Sequence, residues 1–221
     1  MNALRLHLAA AGSVLVALVV AGCGSGSSTT SSPLPSSSTS TTGTPSSTGA
    51  GALVAEARAT AAGDIPDNQV FLTHRDSAGR YSIKYPEGWA VSAASGTTII
   101  RDKNNLIRIV AATGSKPTVA SVTADLAALR AQTPSLQAGK PSTNPSCAIR
   151  GQTRPLPAAS VRVDYSTLSP PDPVTGKHVK LLVNRYYLSH AGRVVTVDLG
   201  TPQGVDNVDA YCLMIGSFRW R

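Results

Sequence analysis

Gly79-Arg80-Tyr81-Ser82-Ile83-Lys84-Tyr85-Pro86-Glu87-Gly88-Trp89 decides how this 221-residue chain folds. Tyr81, Ile83 and Tyr85 alternate with Ser82 and Lys84, the two-residue period of a strand with one buried face. Pro86 and Gly88 then break the strand, because proline removes a backbone donor and glycine tolerates turn geometry. Trp89 follows as the apolar residue that this turn should bury. A sheet with at least one covered face is therefore the starting point.

The neighbouring segments extend that sheet. Residues 70–73 read as a partner strand across the turn Asp76-Ser77-Ala78-Gly79. Residues 97–101 and 106–112 form a hairpin around Asp102-Lys103-Asn104-Asn105. The clearest helix spans residues 121–132, with Val119, Val122, Leu126 and Leu129 on one face and Pro134 helping to stop it. Residues 139–157 carry four prolines and read as loop with room for one short strand. Val161, Val163 and Tyr165 alternate with Arg162 and Asp164 in another half-buried strand, and the three prolines of residues 169–176 mark an exposed loop. Residues 179–189 and 193–199 pair across His190-Ala191-Gly192 as a long hairpin. Residues 205–218 read as a closing helix with Val208, Cys212 and Ile215 facing inward. Antiparallel strands with two helices predict an α+β domain over residues 64–221.

Ahead of the domain the chemistry changes. Arg5 precedes an apolar run over residues 8–21 that ends in Val20-Ala21-Gly22-Cys23. The run is short for a bilayer span, which needs about 20 apolar residues, and fits a secretory leader. Val20-Ala21-Gly22-Cys23 resembles the lipobox of bacterial lipoproteins. That resemblance implies cleavage after residue 22, a diacylglyceryl group on Cys23 and a membrane-anchored, extracytoplasmic protein. Two acyl chains hold a protein stably where one is marginal. From Gly24 to Gly49 nearly every residue is Ser, Thr, Gly or Pro, and no charge lies between Cys23 and Glu56. Such a composition cannot offset its ordering entropy, so residues 23–63 are expected to form a disordered tether, with a reach of roughly 30 Å. The Ser/Thr/Pro mixture suits either an O-glycosylated stalk or a plain spacer.

Loss of Arg5 with the leader lowers the formal charge from +8 to +7. The basic residues are scattered and form no run, which argues against nucleic acid as a partner. A diffuse positive field suits anionic lipid or wall polymer, or simply a soluble surface. Once Cys23 is lipidated, Cys147 and Cys212 remain as an even pair in an oxidising compartment. A structural disulfide is the expectation, and two buried free thiols are the alternative.

The stretch from Gly79 to Trp89, the hairpin after it, the helix of residues 121–132 and the closing helix with Ser217-Phe218 resemble PsbP-like domains in content and order. That family, named for an extrinsic subunit of photosystem II, folds as an α/β/α sandwich around a central antiparallel sheet. Lipobox, tether and domain together resemble the Lpq-type lipoproteins of mycobacteria. The resemblance implies an accessory or binding protein and transfers no catalytic or metal-binding residues.

Motifs for chemistry are missing from the sequence. It has no GxSxG elbow, no SxxK with KTG and no HExxH, and Thr175-Gly176-Lys177 sits in a proline loop. His74, His178 and His190 show no metal-ligand spacing, and Asp64 with Asp67 reads as linker or turn. No catalytic, metal or cofactor site is expected. Tyr186-Tyr187 point to opposite faces of a strand, so one ring beside Arg185 would be free for a binding surface unless both pack. The first functional expectation is a non-enzymatic accessory protein for an envelope partner. The second is a carrier of a lipid or other small apolar ligand between sheet and helix, and the third an envelope hydrolase.

Overall fold

The computed structural model describes residues 47–156, 158–172 and 174–221. The leader, Cys23 and the Ser/Thr-rich stretch to residue 46 lie outside the described residues. In chain order the elements are α1 (Ser47–Ala62), β1 (Phe71–Arg75), β2 (Tyr81–Pro86), β3 (Ala90–Ala94), β4 (Thr97–Asp102), β5 (Asn105–Thr113) and α2 (Val119–Gln132). There follow β6 (Gln137–Ala138), β7 (Ser142–Thr143), β8 (Ser146–Ile149), β9 (Gln152–Pro155) and β10 (Ala159–Leu168). The last are β11 (Lys180–His190), β12 (Arg193–Pro202), α3 (Val208–Gly216) and β13 (Arg219–Trp220).

The architecture is α+β, built on an antiparallel sheet in the order β3-β4-β5-β12-β11-β10-β6, with β7 also pairing β10. A small sheet, β1-β2-β13, and the β8–β9 hairpin complete it. The β11–β12 hairpin turns through Ala191 and Gly192, at φ 47° and 73°. Two positive φ values give the turn a twist that matches the strands.

Alternation along the strands separates two cores. On one face of the main sheet Ile100, Ile107, Ile109, Tyr186, Leu188, Val197 and Leu199 are buried with Tyr81 and Ile83 of β2 and with Tyr211, Cys212, Met214 and Ile215 of α3. Phe218 stacks on Tyr81 with ring centroids 5.7 Å apart, and Trp89 is buried in this cluster as its turn predicted. On the opposite face α2 lays Val122 and Leu126 against Val161, Val163 and Tyr187. Thr118 caps α2 in a reciprocal bond with Ser121, satisfying donors that the first helical turn leaves free.

Several elements depart from the sequence reading. Ser47–Ala62 is helical although residues 23–63 were read as tether; alanine, the strongest helix former, supplies seven of its positions (Ala50, Ala52, Ala55, Ala57, Ala59, Ala61 and Ala62). β3, Ala90-Val91-Ser92-Ala93-Ala94, was not expected, being short of large β-formers and exposed at every position. The proline-rich stretch 139–157 holds β7, β8 and β9, because Arg150 and Gly151, both at positive φ, close a hairpin. The final helix is shorter than read and gives way to β13. Val208, expected to face inward, is exposed in its first turn, while Cys212 and Ile215 are buried.

One polar clasp organises the start of the domain. Gly63 O accepts from Asn105 Nδ2 at 2.6 Å and from Asn207 Nδ2 at 3.1 Å, and Ile65 N–H donates to Asn207 Oδ1 at 2.8 Å. Asn105 opens β5 and Asn207 precedes α3, and both are buried. Burying two amides is favourable only with such complete pairing.

A basic groove beside the disulfide as candidate functional site

Cys147 of β8 and Cys212 of α3 are bridged, with Cα atoms 5.4 Å apart, as parity and compartment predicted. The bridge is one of several ties that hold the β8–β9 hairpin against the domain. Arg150 N–H donates to both carboxylate oxygens of Asp209 at 3.0 and 3.1 Å, anchoring the hairpin turn to the first turn of α3. Arg162 Nη1 donates to Ser146 O at 3.0 Å. That arginine is itself fixed by a bidentate pair with Asp164, at 2.8 and 2.9 Å, and lies over the Tyr186 ring at 5.4 Å.

Held in this way, the hairpin forms one wall of an open groove of about 800 Å³. The C-terminal half of α3 and the strands β2 and β13 form the other walls. Leu156, Ile149, Leu213 and the Cys147–Cys212 bridge give it an apolar lining. Lys84, Arg154 and Arg219 also line it, with no Asp, Glu or His among the lining residues. None of these three cations is in an ion pair among the described residues. Arg219 Nη1 donates to Gly216 O at 2.9 Å and to Phe218 O at 2.7 Å. It thereby offsets the partial negative charge that the C-terminus of α3 would otherwise present to the groove. Ser217 Oγ accepts from Lys84 N–H at 2.8 Å and donates to Met214 O at 2.6 Å, stitching β2 to the helix end.

A second groove of about 950 Å³ lies on the other side of a ridge made by Ile149 and Leu213, which line both. Its charge is opposite: Glu56, Asp64, Asp67, Asp206 and Asp209 line it with a single basic residue, Arg150. Asp64 and Asp67, the carboxylates noted in the sequence, are thus brought into one acidic surface. Asp64 N–H donates to Ala59 O where α1 ends, and Asp67 lies in the turn that Gln69 N–H closes onto Pro66 O.

For Arg185-Tyr186-Tyr187 the packed alternative holds and the binding-surface one does not. Neither ring is free: Tyr186 and Tyr187 are 2% and 4% exposed and Arg185 is 6% exposed. They pack into opposite cores, because α2 covers the face that would have been open. Arg185, Asp198 and Arg108 stand directly across neighbouring strands. Asp198 Oδ2 accepts from Arg185 Nη1 at 3.3 Å and Arg108 Nη1 at 3.4 Å, and Arg185 Nη2 lies 3.2 Å from Asp125 of α2. Tyr187 OH also donates to Asp125. Burial pushes the Asp198 carboxyl above the usual carboxylate range against the pull of both arginines. Burial is the largest single influence on Arg185 and acts against its charge, but Asp198, Tyr187, Asp125 and Tyr165 together outweigh it and keep the guanidinium charged. Asp198 Oδ1 and Arg185 Nε have no hydrogen-bond partner among the described residues. The cluster pins α2 to the sheet; no signal in the sequence short of cross-strand register would have revealed it.

The histidines stay apart in role. His74 is half-buried on β1, its Nε2 without a hydrogen-bond partner among the described residues and its pKa lowered by burial. His178 Nδ1 bonds Ser169 O at 2.7 Å at the base of the proline loop, and the His190 ring lies 5.9 Å from that of Trp220. Among the described residues no three or more His, Cys, Asp or Glu side chains gather as metal ligands would.

No family model and no curated protein matches the chain. Among solved structures it is similar to cyanobacterial PsbP (CyanoP) from Synechocystis sp. PCC 6803, with 14% identity and a TM-score of 0.42 over 72% of this chain and 98% of that one. It is similar to a Bacteroides thetaiotaomicron VPI-5482 protein, with 12% identity and a TM-score of 0.40, covering 67% of this chain and 48% of the other. The Saccharomyces cerevisiae Ran-binding protein Mog1p also resembles it, with 11% identity and a TM-score of 0.40 over 69% of this chain and 96% of that one. A PsbP-like protein thus stands among its structural neighbours; the fold described above rests on the chain's own sheet and helices.

Proposed function

We propose that this chain is a lipid-anchored, extracytoplasmic binding protein, fixed to a membrane through Cys23, that takes its ligand in the basic groove without transforming it. One observation carries the reading: among the described residues, about 800 Å³ of open, partly apolar space is lined by three cations lacking ion-pair partners and by no acid or histidine. Unpaired charge beside apolar surface suits recognition, whereas general acid–base work calls for titratable groups facing a reacting atom. Native mass spectrometry of the protein extracted from its own membranes tests this. The wild type is expected to retain a ligand mass that Leu213→Trp, which fills the groove, releases. A mass retained equally by both proteins refutes the groove as the site. Cys23→Ser should move the protein out of the membrane fraction or block its processing, and unchanged fractionation refutes the anchor.

A second reading, an envelope protein as partner, is favoured by β3. This strand ends the main sheet, is exposed throughout and contains no Lys, Pro or register shift, leaving a ladder edge that another chain can extend. A photo-cross-linker placed at Ala94 in membranes should trap a protein neighbour, and Ser92→Pro should abolish the trap. A trap that survives Ser92→Pro removes β3 from the account.

A further inference from the structure

We infer that the ligand of the basic groove is a single-chain anionic amphiphile, with its head among Lys84, Arg154 and Arg219 and its chain along Leu156, Ile149 and Leu213. The inference rests on the groove being the binding site and adds the class of molecule it holds.

Charge decides the head. Arg154 and Arg219 carry planar forks suited to phosphoryl or carboxylate oxygens, and Lys84 adds a point charge on the same wall system. No carboxylate in the groove competes for them. Beyond the Ile149–Leu213 ridge the five carboxylates of the acidic groove repel an anion, so the head is confined to the basic side. A neutral ligand would leave Lys84 and Arg154 with water and Arg219 with its two backbone carbonyls alone, and a cationic one would be drawn to the acidic side.

Size and lining decide the tail. About 800 Å³ lies within the span of sites that hold one ligand of drug size, roughly 300–1,000 Å³. Leucine, isoleucine and the bridge sulfurs offer a chain apolar contact, and the open side lets its far end leave the protein. The packing of Tyr81, Tyr211, Met214 and Phe218 between the main sheet and α3 fills the interior, so the ligand lies in a surface groove.

The test uses the full chain in phosphatidylcholine nanodiscs, titrated calorimetrically with four probes: octyl phosphate, octanoate, the neutral octyl glucoside and inorganic phosphate. Lys84→Glu with Arg154→Glu is the comparison; both residues are exposed, and a thermal melt verifies that the variant is folded. Arg219 is left intact because it caps α3. An anionic octyl probe is expected to bind the wild type at least about tenfold more tightly than octyl glucoside, and to lose at least about tenfold in the double variant, the scale of one to two charge-assisted hydrogen bonds. Inorganic phosphate should show no measurable binding, since it lacks the chain. Preference for octyl phosphate over octanoate assigns a phosphorylated lipid as the source, and the reverse assigns a fatty acid.

Equal affinity for octyl glucoside and octyl phosphate overturns the ligand class and leaves the groove itself standing. Equal affinity of wild type and folded double variant for the anionic probes also overturns it, because the anion then sits elsewhere. If no probe binds while Leu213→Trp still releases a native ligand, the class falls alone. If no probe binds and Leu213→Trp releases nothing, the class and the groove fall together.

Discussion

Removing the bridge, as Cys147→Ala with Cys212→Ala, should destabilise the whole domain rather than loosen one hairpin. The two cysteines are 65 residues apart. In the chain-entropy treatment a loop of that length costs the unfolded chain about 4 kcal/mol of freedom at 25 °C. The closed loop contains the three longest strands, β10, β11 and β12, which form the middle of the main sheet. The constraint therefore acts on the same cooperative unit that holds the core. With a urea slope of about 2 kcal/mol per molar, a loss of about 4 kcal/mol moves the midpoint down by about 2 M. Equilibrium urea unfolding, followed by the fluorescence of buried Trp89, compares wild type, reduced wild type and the double variant. Reduced wild type and variant should coincide. A midpoint within about 0.3 M of the oxidised protein would refute the reasoning, since the Asp209 and Arg162 ties would then be holding the hairpin unaided.

Other perturbations probe the remaining features. Asp198→Asn removes the carboxylate between Arg185 and Arg108, leaves buried Arg185 with the part-exposed Asp125 alone and should cost about 3 kcal/mol, and adding Arg185→Met should recover much of it, as replacement of a buried pair usually does; a double variant no better than the single would contradict this in urea unfolding. The Arg80 guanidinium, 2.6 Å from Asp76, holds that carboxyl below the usual carboxylate range. Its contribution is present in full above the unfolded carboxylate pKa and is lost as pH falls through the folded one. Thermal melts should therefore show a smaller acid-side loss for Asp76→Asn than for wild type. His74 has its pKa lowered by burial, so stability should fall as pH drops below the ordinary histidine value; melts of His74→Gln at pH 7 and 5 should differ less than those of wild type. Ala191 holds φ 47° in the β11–β12 turn, a conformation that costs an L-residue about 1–2 kcal/mol, and Ala191→Gly should raise the urea midpoint, offset in part by unfolded-chain entropy.

How much of this could be read in the sequence follows from where the signal lives. β2, β4, β5, β10 and α2 were legible because the periods of two or of 3.6 expected of one buried face run through them, and β11 and β12, buried on both faces in their middles, as long β-rich runs on either side of a turn. β3 carries no such period, since all five residues are exposed, and its pairing with β4 is visible only in three dimensions. β8 and β9 were hidden by prolines at 141, 145, 155 and 157, which flank or end the short strands rather than interrupt them. In the site, the Cys147–Cys212 bridge was legible from parity and compartment. Lys84, Arg154 and Arg219 were present only as members of a scattered basic set, and their convergence depends on three elements far apart in sequence. Alternation left the tyrosine pair open between packing and one exposed ring; packing holds, because α2 covers the second face.

The Asn105–Asn207 clasp around Gly63 has a mechanical consequence. A tug on the chain from its N-terminal side would, without it, reach β1 first, a strand paired on one side alone and therefore simple to peel. Gly63 comes before β1, and its carbonyl is gripped by the amides that open β5 and precede α3. The load is diverted into β5, which is flanked by β4 and β12 and would have to shear many hydrogen bonds at once.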